Sequence, residues 1–453
     1  MKLTLQRDTI LHIGFDDTDS LQGSCTTHLA TIIIEEIDAQ VTFLDYPRLI
    51  RNNPNIPWKT RGNGAIGFTI KIAEKDVDQV IVAIKRSIEN YYQPDENTNP
   101  GLVVVKGNIP EIIKEFSKRA LIEVLSIEEA KDIAANHCFD HYFIGNGRGL
   151  IGGLAAIGNT LNPRNEDFTY EILTYRSTNL LGSKRKLDKE SVYEMDKKLT
   201  PEVFNNIDEE TNKVLICPAG PDPVFYGIRG EEAEKMLEAL SIVKTLEPLD
   251  AYCIFRTNQG TDQHFKYADA RIENYRVFKG DIEITSKPRI LLGGHVILHG
   301  IVEENKKLVD IAAFEPSKSF KQKISKLLPG DKITAYGGVK YNQEHATHTI
   351  QLEKCKIIFI SDHYYENSPL CPKCNKRMTS AGLNKGHKCK KCGFKDSNIP
   401  KVKTKIVREI QRELLIPPAQ AQRHLVKPHR RYGLKKKESV KFVKNWWKKY
   451  TNE

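Results

Sequence analysis

The alternation of apolar and polar positions divides the chain into stretches of different character. Near the N-terminus, Ile10-Leu11-His12-Ile13-Gly14-Phe15 predicts a strand and Leu29-Ala30-Thr31-Ile32-Ile33-Ile34 a helix, with a polar loop between them. Val41-Thr42-Phe43-Leu44 and Ala65 to Ile72 predict two more strands, separated by a Pro/Asn-rich loop from Pro47 to Gly64. Val77 to Tyr91 then carries apolar residues at helical spacing. Residues 1–134 therefore read as one α/β unit. The pattern stays α/β over 135–284, where Glu171 to Arg176 and Val214 to Cys217 look like strands and Glu231 to Leu240 like a helix. Over 285–361 helical spacing largely disappears. Short alternating segments (Arg289 to Leu298, Lys307 to Ala312, Asp331 to Gly337, Thr347 to Leu352) recur between glycine turns. They predict a small β-barrel such as an OB-fold, with a sandwich fragment as the competing arrangement. Residues 362–400 hold paired cysteines and 401–453 are basic.

Charge sharpens the division. From residue 401 onward there are 16 Lys/Arg against 4 Asp/Glu, out of 69 and 58 in the chain, so the net charge of +11 resides in this tail. Segregated cations point to phosphate-backbone contacts; a solvated, disordered tail is the alternative. Tyr432, Trp446, Trp447 and Tyr450 interleave with Arg430, Arg431, Lys435, Lys436, Lys437, Lys444, Lys448 and Lys449, a composition that stacks bases while holding phosphates. No apolar run approaches the roughly 20 residues of a membrane span. There is also no signal-peptide apolar region, so a cytoplasmic location without membrane contact is expected.

Of the nine cysteines, four are arranged as Cys371-Pro-Lys-Cys374 and Cys389-Lys-Lys-Cys392, with 14 residues between the pairs. Each pair lets two thiolates converge on one ion, and four thiolates close a tetrahedral structural zinc site. Lys373, Lys376, Arg377, Lys385, Lys388, Lys390, Lys391 and Lys395 surround it, which gives the expected zinc ribbon a basic surface.

The loop Asp16-Asp17-Thr18-Asp19-Ser20 crowds three carboxylates and several hydroxyls at the end of an apolar strand. Asp16, Asp17 and Asp19 are candidate magnesium ligands, with Thr18 and Ser20 to orient them, and oxygen-only ligation of this kind usually accompanies nucleotide phosphates. A helix-capping cluster is the bland reading. Lys59 and Arg61, in Trp58-Lys59-Thr60-Arg61-Gly62-Asn63-Gly64, supply cations that could neutralise a triphosphate. Gly147-Arg148-Gly149-Leu150-Ile151-Gly152 matches G-x-G-x-x-G only weakly and reads as a tight turn into a helix that lines a small pocket.

Taken in order, these segments resemble one family. They are Gly14 to Ser20 with Cys25-Thr26-Thr27, Pro47 to Pro54, Lys59 to Gly64, Gly147 to Gly152, Pro221 to Gly230, Ala313-Phe314-Glu315-Pro316, the paired cysteines, and Pro417-Pro418 through Arg423-His424-Leu425 to Lys427-Pro428. Together they are similar to the archaeal agmatinylcytidine synthetases of isoleucine tRNA. Ser24 stands where that family is expected to carry Met, and the tail beyond Pro428 is longer than expected.

The resemblance implies an ATP-dependent ligase that attaches agmatine to C2 of the wobble cytidine in the CAU anticodon of isoleucine tRNA, which then reads AUA. It implies a multidomain α+β protein: a kinase-like α/β catalytic domain (1–134), a ferredoxin-like domain (135–284), an OB-fold β-barrel (285–361), a zinc ribbon (362–400) and a basic RNA-binding tail (401–453). Asp16, Asp17 and Asp19 would hold magnesium, and Thr26 matches the family's autophosphorylated threonine. Thr18, Thr27, Lys59, Arg61, Asn63 and Arg229 would contact ATP; Gly147, Gly149, Gly152 and Asp222 would contact the second substrate, with Glu231 a further partner for the guanidinium. Without the resemblance, an RNA-binding adaptor and an autokinase remain open.

Overall fold

The computed structural model describes residues 7–20, 22–95, 97–434 and 439–450. In chain order it forms β1 (Asp8–Asp16), α1 (Thr26–Ile37), β2 (Thr42–Phe43), β3 (Arg48–Arg51), β4 (Gly64–Ala73), α2 (Val77–Tyr91), β5 (Gly101–Lys106), α3 (Glu111–Ala120), α4 (Ile127–His137), β6 (Asp140–Phe143) and α5 (Gly149–Gly158). There follow β7 (Thr169–Arg176), α6 (Lys189–Leu199), β8 (Val203–Phe204), the hairpin β9 (Ile207–Asp208) and β10 (Lys213–Val214), β11 (Val224–Gly230), α7 (Ala233–Ile242), β12 (Leu249–Thr257) and α8 (Gln263–Tyr267).

One sheet runs in the order β6-β5-β1-β4-β3-β12-β7-β11-β8, with β2 added to β4. Its two halves meet where β3 pairs with β12 in parallel, Arg48 opposite Arg256 and Leu49 opposite Thr257. In the first half, period-2 alternation sorts side chains to two covered faces. Leu102 and Val104 of β5 face the core under α1 and α2, whereas Val103 and Val105 face α3, α4 and α5. On β1, Leu11, Ile13 and Phe15 lie in the first core, so His12, Gly14 and Asp16 point to the α5 side. The second half is a β-α-β-β-α-β run whose strands stand in the order β12-β7-β11-β8, antiparallel throughout.

Helix α5 lies against β1 with backbone nearly touching backbone: a Cβ on Gly14 would stand 2.1 Å from the carbonyl oxygen of Gly153. Only glycine permits that approach. The expected boundary at residue 134 is therefore displaced, because β6 extends the first half of the sheet and α5 packs on it.

The barrel is built from β13 (Val277–Ile284), β15 (Val296–Val302), β16 (Leu308–Ala313), β17 (Lys332–Asn342) and β18 (Thr347–Phe359), with a short β14 (Arg289–Ile290) beside β15. β13 pairs with both β17 and β15, and β16 pairs with β18 in parallel, so the five strands close and the sandwich alternative fails. Helix α9 (Ser319–Ile324) connects β16 to β17. The barrel begins at Val277 rather than at 285, since Lys279-Gly280-Asp281 carries too little apolar alternation to be recognised as a strand.

Beyond the barrel, β19 (Tyr364–Asn367) and β23 (Val402–Lys405) make a two-stranded stem around the cysteine module, which folds as β20 (Thr379–Ser380), β21 (His387–Lys388) and β22 (Lys395–Asp396). The basic tail departs most from expectation. β24 (Leu414–Leu415) pairs with β18 of the barrel, and β25 (Trp447–Lys449) pairs with β12 of the main sheet. Arg431 is 3 % exposed and bonded to Glu231 and Asp167. Trp446 packs on Phe43, Tyr46 and Phe442. Tail cations Arg408, Arg423, Lys427, Arg430, Lys441 and Lys449 also pair with carboxylates of the body. The tail is thus a strap that joins barrel to sheet; Lys435, Lys436 and Lys437 lie outside the described residues. Among the described residues no helix is long and apolar enough to cross a membrane.

If the strap is core, Trp446→Ala should lower stability by about 3–5 kcal/mol, as aromatic truncations in cores do. Chemical denaturation tests this, and an unchanged midpoint would show that the strand only rests on the surface.

Candidate functional site

Two cavities open at the C-terminal end of β1. The first, of about 380 Å³, is lined by Asp16, Asp17, Asp19, Lys59, Thr60, Asn63, Arg148 and Gly152, together with apolar Ile56, Trp58, Leu125, Ile127 and Ile151. The second, of about 400 Å³, is lined by Asp19, Cys25, Thr26, Thr27, Arg51, Arg61, Glu171, Asn206, Asp222, Arg229 and His424. Asp19 and Gly64 line both. Both volumes lie in the range of small-ligand sites.

Each acidic residue sits differently. Asp16 ends β1 and points at α5, where a Cβ on Gly152 would stand 1.8 Å from its Oδ2. Burial and the neighbouring Asp17 push its carboxyl well above the usual range, and no Lys or Arg among the described residues pairs with it. Asp17, at φ 61°, is held by Arg148 through Nε (2.8 Å) and Nη2 (2.9 Å); burial raises its carboxyl to about 6 despite that clamp. Asp19 accepts from the backbone N–H of Thr26 (2.7 Å), the Thr26 hydroxyl (3.1 Å) and the Thr60 hydroxyl (3.1 Å), and pairs with Arg61 Nε at 3.2 Å. The α1 N-terminus therefore carries a carboxylate at its first N–H, a favourable end for the helix dipole. Thr18 is fully buried and donates to the Thr26 hydroxyl at 3.1 Å.

Arg61 reaches across from Asp19 to Asp222 (3.5 Å) and donates to the Ser24 carbonyl (2.8 Å). Arg61 and Asn63 both have positive φ, 42° and 51°, a backbone cost tolerated where the side chains are fixed on both sides. Asn63 donates to the Asn53 carbonyl, and burial lowers the basicity of Lys59. In the second cavity Glu171, 2 % exposed, accepts from Arg229 Nε at 2.9 Å and from Gln259 Nε2. His424 comes from the strap and approaches Gln259 Oε1 (2.9 Å) and Arg229 Nη2 (3.1 Å) through Nδ1. Burial and the cations Arg51, Arg229 and Lys59 hold it neutral, well below the ordinary histidine range.

The expected residues are mostly gathered here and divide between the two cavities. Thr27, Arg61 and Arg229 line the second cavity and not the first. Gly152 reaches the first cavity; Gly149 packs against the Gly101 backbone, and Gly147, at φ 84°, forms the turn beside Phe143. Glu231 is bonded to Arg431 and is not free for a ligand. Arg51, Glu171 and His424 carry no expected role; they come from three distant segments brought together by the β3–β12 pairing and the strap.

The carboxylates do not converge as a ready cation cage. The four cysteines are the one group of three or more metal-type side chains gathered among the described residues, with their ligand atoms within 4.8 Å of one another. Their sulfurs lie 3.4 Å apart (Cys371 to Cys392) and 3.5 Å apart (Cys374 to Cys389), spacing that suits tetrahedral Zn–S bonds of about 2.3 Å. For magnesium the donor set is thinner: Asp17 is clamped and Asp19 saturated, leaving Asp16. That still fits an ion that takes one or two carboxylates and completes its shell with phosphate oxygens and water.

The family models described as the TiaS TCKD domain, the TiaS FLD domain and the TiaS C-terminal zinc ribbon domain match residues 12–146, 147–264 and 368–413. The isoleucine-tRNA 2-agmatinylcytidine synthetase TiaS of Archaeoglobus fulgidus is 40% identical over 420 residues, 92% of this chain and 96% of that protein. The chain belongs to the TiaS family of isoleucine-tRNA 2-agmatinylcytidine synthetases. The family member of Pyrococcus horikoshii is 38% identical over 425 residues, 92% of this chain and 96% of its own. A crystal structure of TiaS in complex with its isoleucine tRNA and ATP superposes with TM-score 0.84 at 38% identity, covering 95% of this chain and 99% of that one. A complex of TiaS with the same tRNA, AMPCPP and agmatine gives 0.81 at 35% identity, covering 95% and 99%.

If the cysteines hold zinc, chelation should unfold residues 371–396 and leave the main sheet intact. Hydrogen exchange reads both regions at once; unchanged protection in the ribbon would mean that the thiolates carry no structural metal.

Proposed function

We propose that the chain joins agmatine to C2 of the wobble cytidine of a CAU-anticodon isoleucine tRNA at the expense of ATP, and that the two cavities meeting at Asp19 are its nucleotide and amine sites. The observation that carries the reading is that shared wall. A ring carbonyl oxygen is a poor leaving group, so it must be phosphorylated before an amine displaces it, and the phosphoryl donor and the amine must approach the same atom. The first cavity combines apolar residues for a base with Lys59, Arg148 and carboxylates for a metal triphosphate. The second holds Asp222 and Glu171 for a cationic amine.

Within this reading Asp16 is the principal magnesium carboxylate, with Asp17 and Asp19 close behind it. The ion, when bound, would neutralise phosphate charge. Lys59 and Asn63 face the phosphates. Thr26, between Asp19 and the second cavity, is the phosphorylated threonine. Asp222 and Glu171 set the charge of the amine site. The two halves of the sheet are the kinase-like and ferredoxin-like domains, the closed barrel is the OB-fold, and the exposed cations of the ribbon contact RNA. The cytosine reaches the cavity by leaving its stack.

Incubation with magnesium ATP, agmatine and the tRNA transcript should add the mass of agmatine less water to one cytidine. No mass gain with every component present would refute the assignment. Asp16→Asn should reduce that product at least about 10²-fold, the scale of losing one transition-state charge partner. Thr26→Ala should abolish label transfer from γ-labelled ATP to the protein, and persisting label would place the phosphate on another residue.

A further inference from the structure

The loop from Cys217 to Val224 is one wall of the second cavity, yet its sequence, Cys-Pro-Ala-Gly-Pro-Asp-Pro-Val, is poorly equipped to hold a shape. Three prolines lack N–H groups, so the loop cannot form a ladder, and its carbonyls need donors from elsewhere. Arg185 supplies them. Its Nε donates to the Val224 carbonyl (2.8 Å), Nη1 to those of Pro218 (2.7 Å) and Gly220 (2.9 Å), and Nη2 to that of Asp222 (2.9 Å). The same guanidinium lies 3.7 Å from the Asp222 carboxylate, and its side chain is only 9% exposed. Arg185 does not line the cavity. It grips the loop from behind, and the planar fork matches four acceptors in a way that no other side chain can.

We propose that Arg185 is a positioning residue for the second substrate, fixing the Pro218–Val224 carbonyls so that Asp222 stands in the amine cavity opposite Arg61. The inference rests on reading the second cavity as the amine site. Its consequence is directional. Arg185 fixes Asp222, and Asp222 meets Arg61 (3.5 Å), which in turn meets Asp19 (3.2 Å), so loss of Arg185 loosens the amine wall first. Apart from Asp19 and Gly64, the nucleotide cavity is lined by different residues and keeps its own anchors, such as the Arg148 clamp on Asp17.

The test measures agmatine and ATP binding by calorimetry with the full-length protein. Arg185→Ala should weaken agmatine about tenfold, the loss expected when a charge-assisted hydrogen-bond cluster is removed, and leave ATP affinity unchanged. Arg185→Lys keeps the charge but not the fork, so it should lose agmatine affinity as well, and it carries the test if the alanine variant does not fold. Unchanged agmatine affinity in the variants or an equal loss of ATP affinity would each overturn the assignment. A wild-type protein that binds ATP but not agmatine would instead overturn the reading of the cavity.

Discussion

The carboxylate of Asp19 accepts from the Thr26 backbone and hydroxyl and the Thr60 hydroxyl and pairs with Arg61 at once, and the geometry of both cavities follows from that arrangement. One oxygen ends helix α1, the other holds the loop that carries Lys59, Arg61 and Asn63. Through Arg61 the same group reaches Asp222 in the other half of the sheet. An isolated carboxylate so placed would be costly, since desolvation exceeds what one partial partner returns. With three donors and a paired cation it is stable, and because both oxygens are engaged its direction is fixed. Asp16 is the contrast: buried beside Asp17 and with no paired Lys or Arg among the described residues, its carboxyl is pushed well above the usual range, and an incoming positive charge would favour its ionised form.

The strap changes how the charge of the chain is to be understood. A block of cations at the C-terminus reads as a phosphate-binding arm, yet in the fold most of the described ones neutralise carboxylates on the body. Arg431 is buried between Glu231 and Asp167 and bonds to both. Removing Arg431 would strip a partner from two partly buried carboxylates, and losing one partner of such a contact costs more than the contact itself contributes. The strap also carries His424 into the second cavity, so the far end of the sequence completes a site whose other members lie between residues 19 and 229.

What could be read from the sequence was local. The acidic loop between β1 and α1, the paired cysteines and the strand-rich barrel each announce themselves within one contiguous stretch of chain, through spacing and alternation. The glycines around Gly152 were visible as a motif, but their reason was not: they admit the backbone of α5 against β1 and leave room for Asp16. Glu171 could not have been found, because it sits in an ordinary strand and acquires meaning only from Arg229 and Gln259, 58 and 88 residues away. The pairing of the tail's cations is hidden from the sequence for the same reason. Whether a lysine or arginine is free depends on which carboxylate the fold brings to it, and composition does not record that.

The ribbon is where cations remain free. Lys373, Lys376, Arg377, Lys385, Lys388, Lys390, Lys391 and Lys395 are exposed, and none has a carboxylate partner among the described residues. The module's own core is small, made of Cys371, Met378 and Cys389 with Cys374, Phe394 and Ile399 against it. A core of that size does not hold a fold without a staple, so the thiolate cluster is what keeps these charges on one surface. The β19–β23 stem joins this module to a body whose own tail cations are largely paired. With the ribbon's cations free and most of those in the strap paired, a polyanion that met the ribbon would not compete with the charges that hold the protein's own domains together.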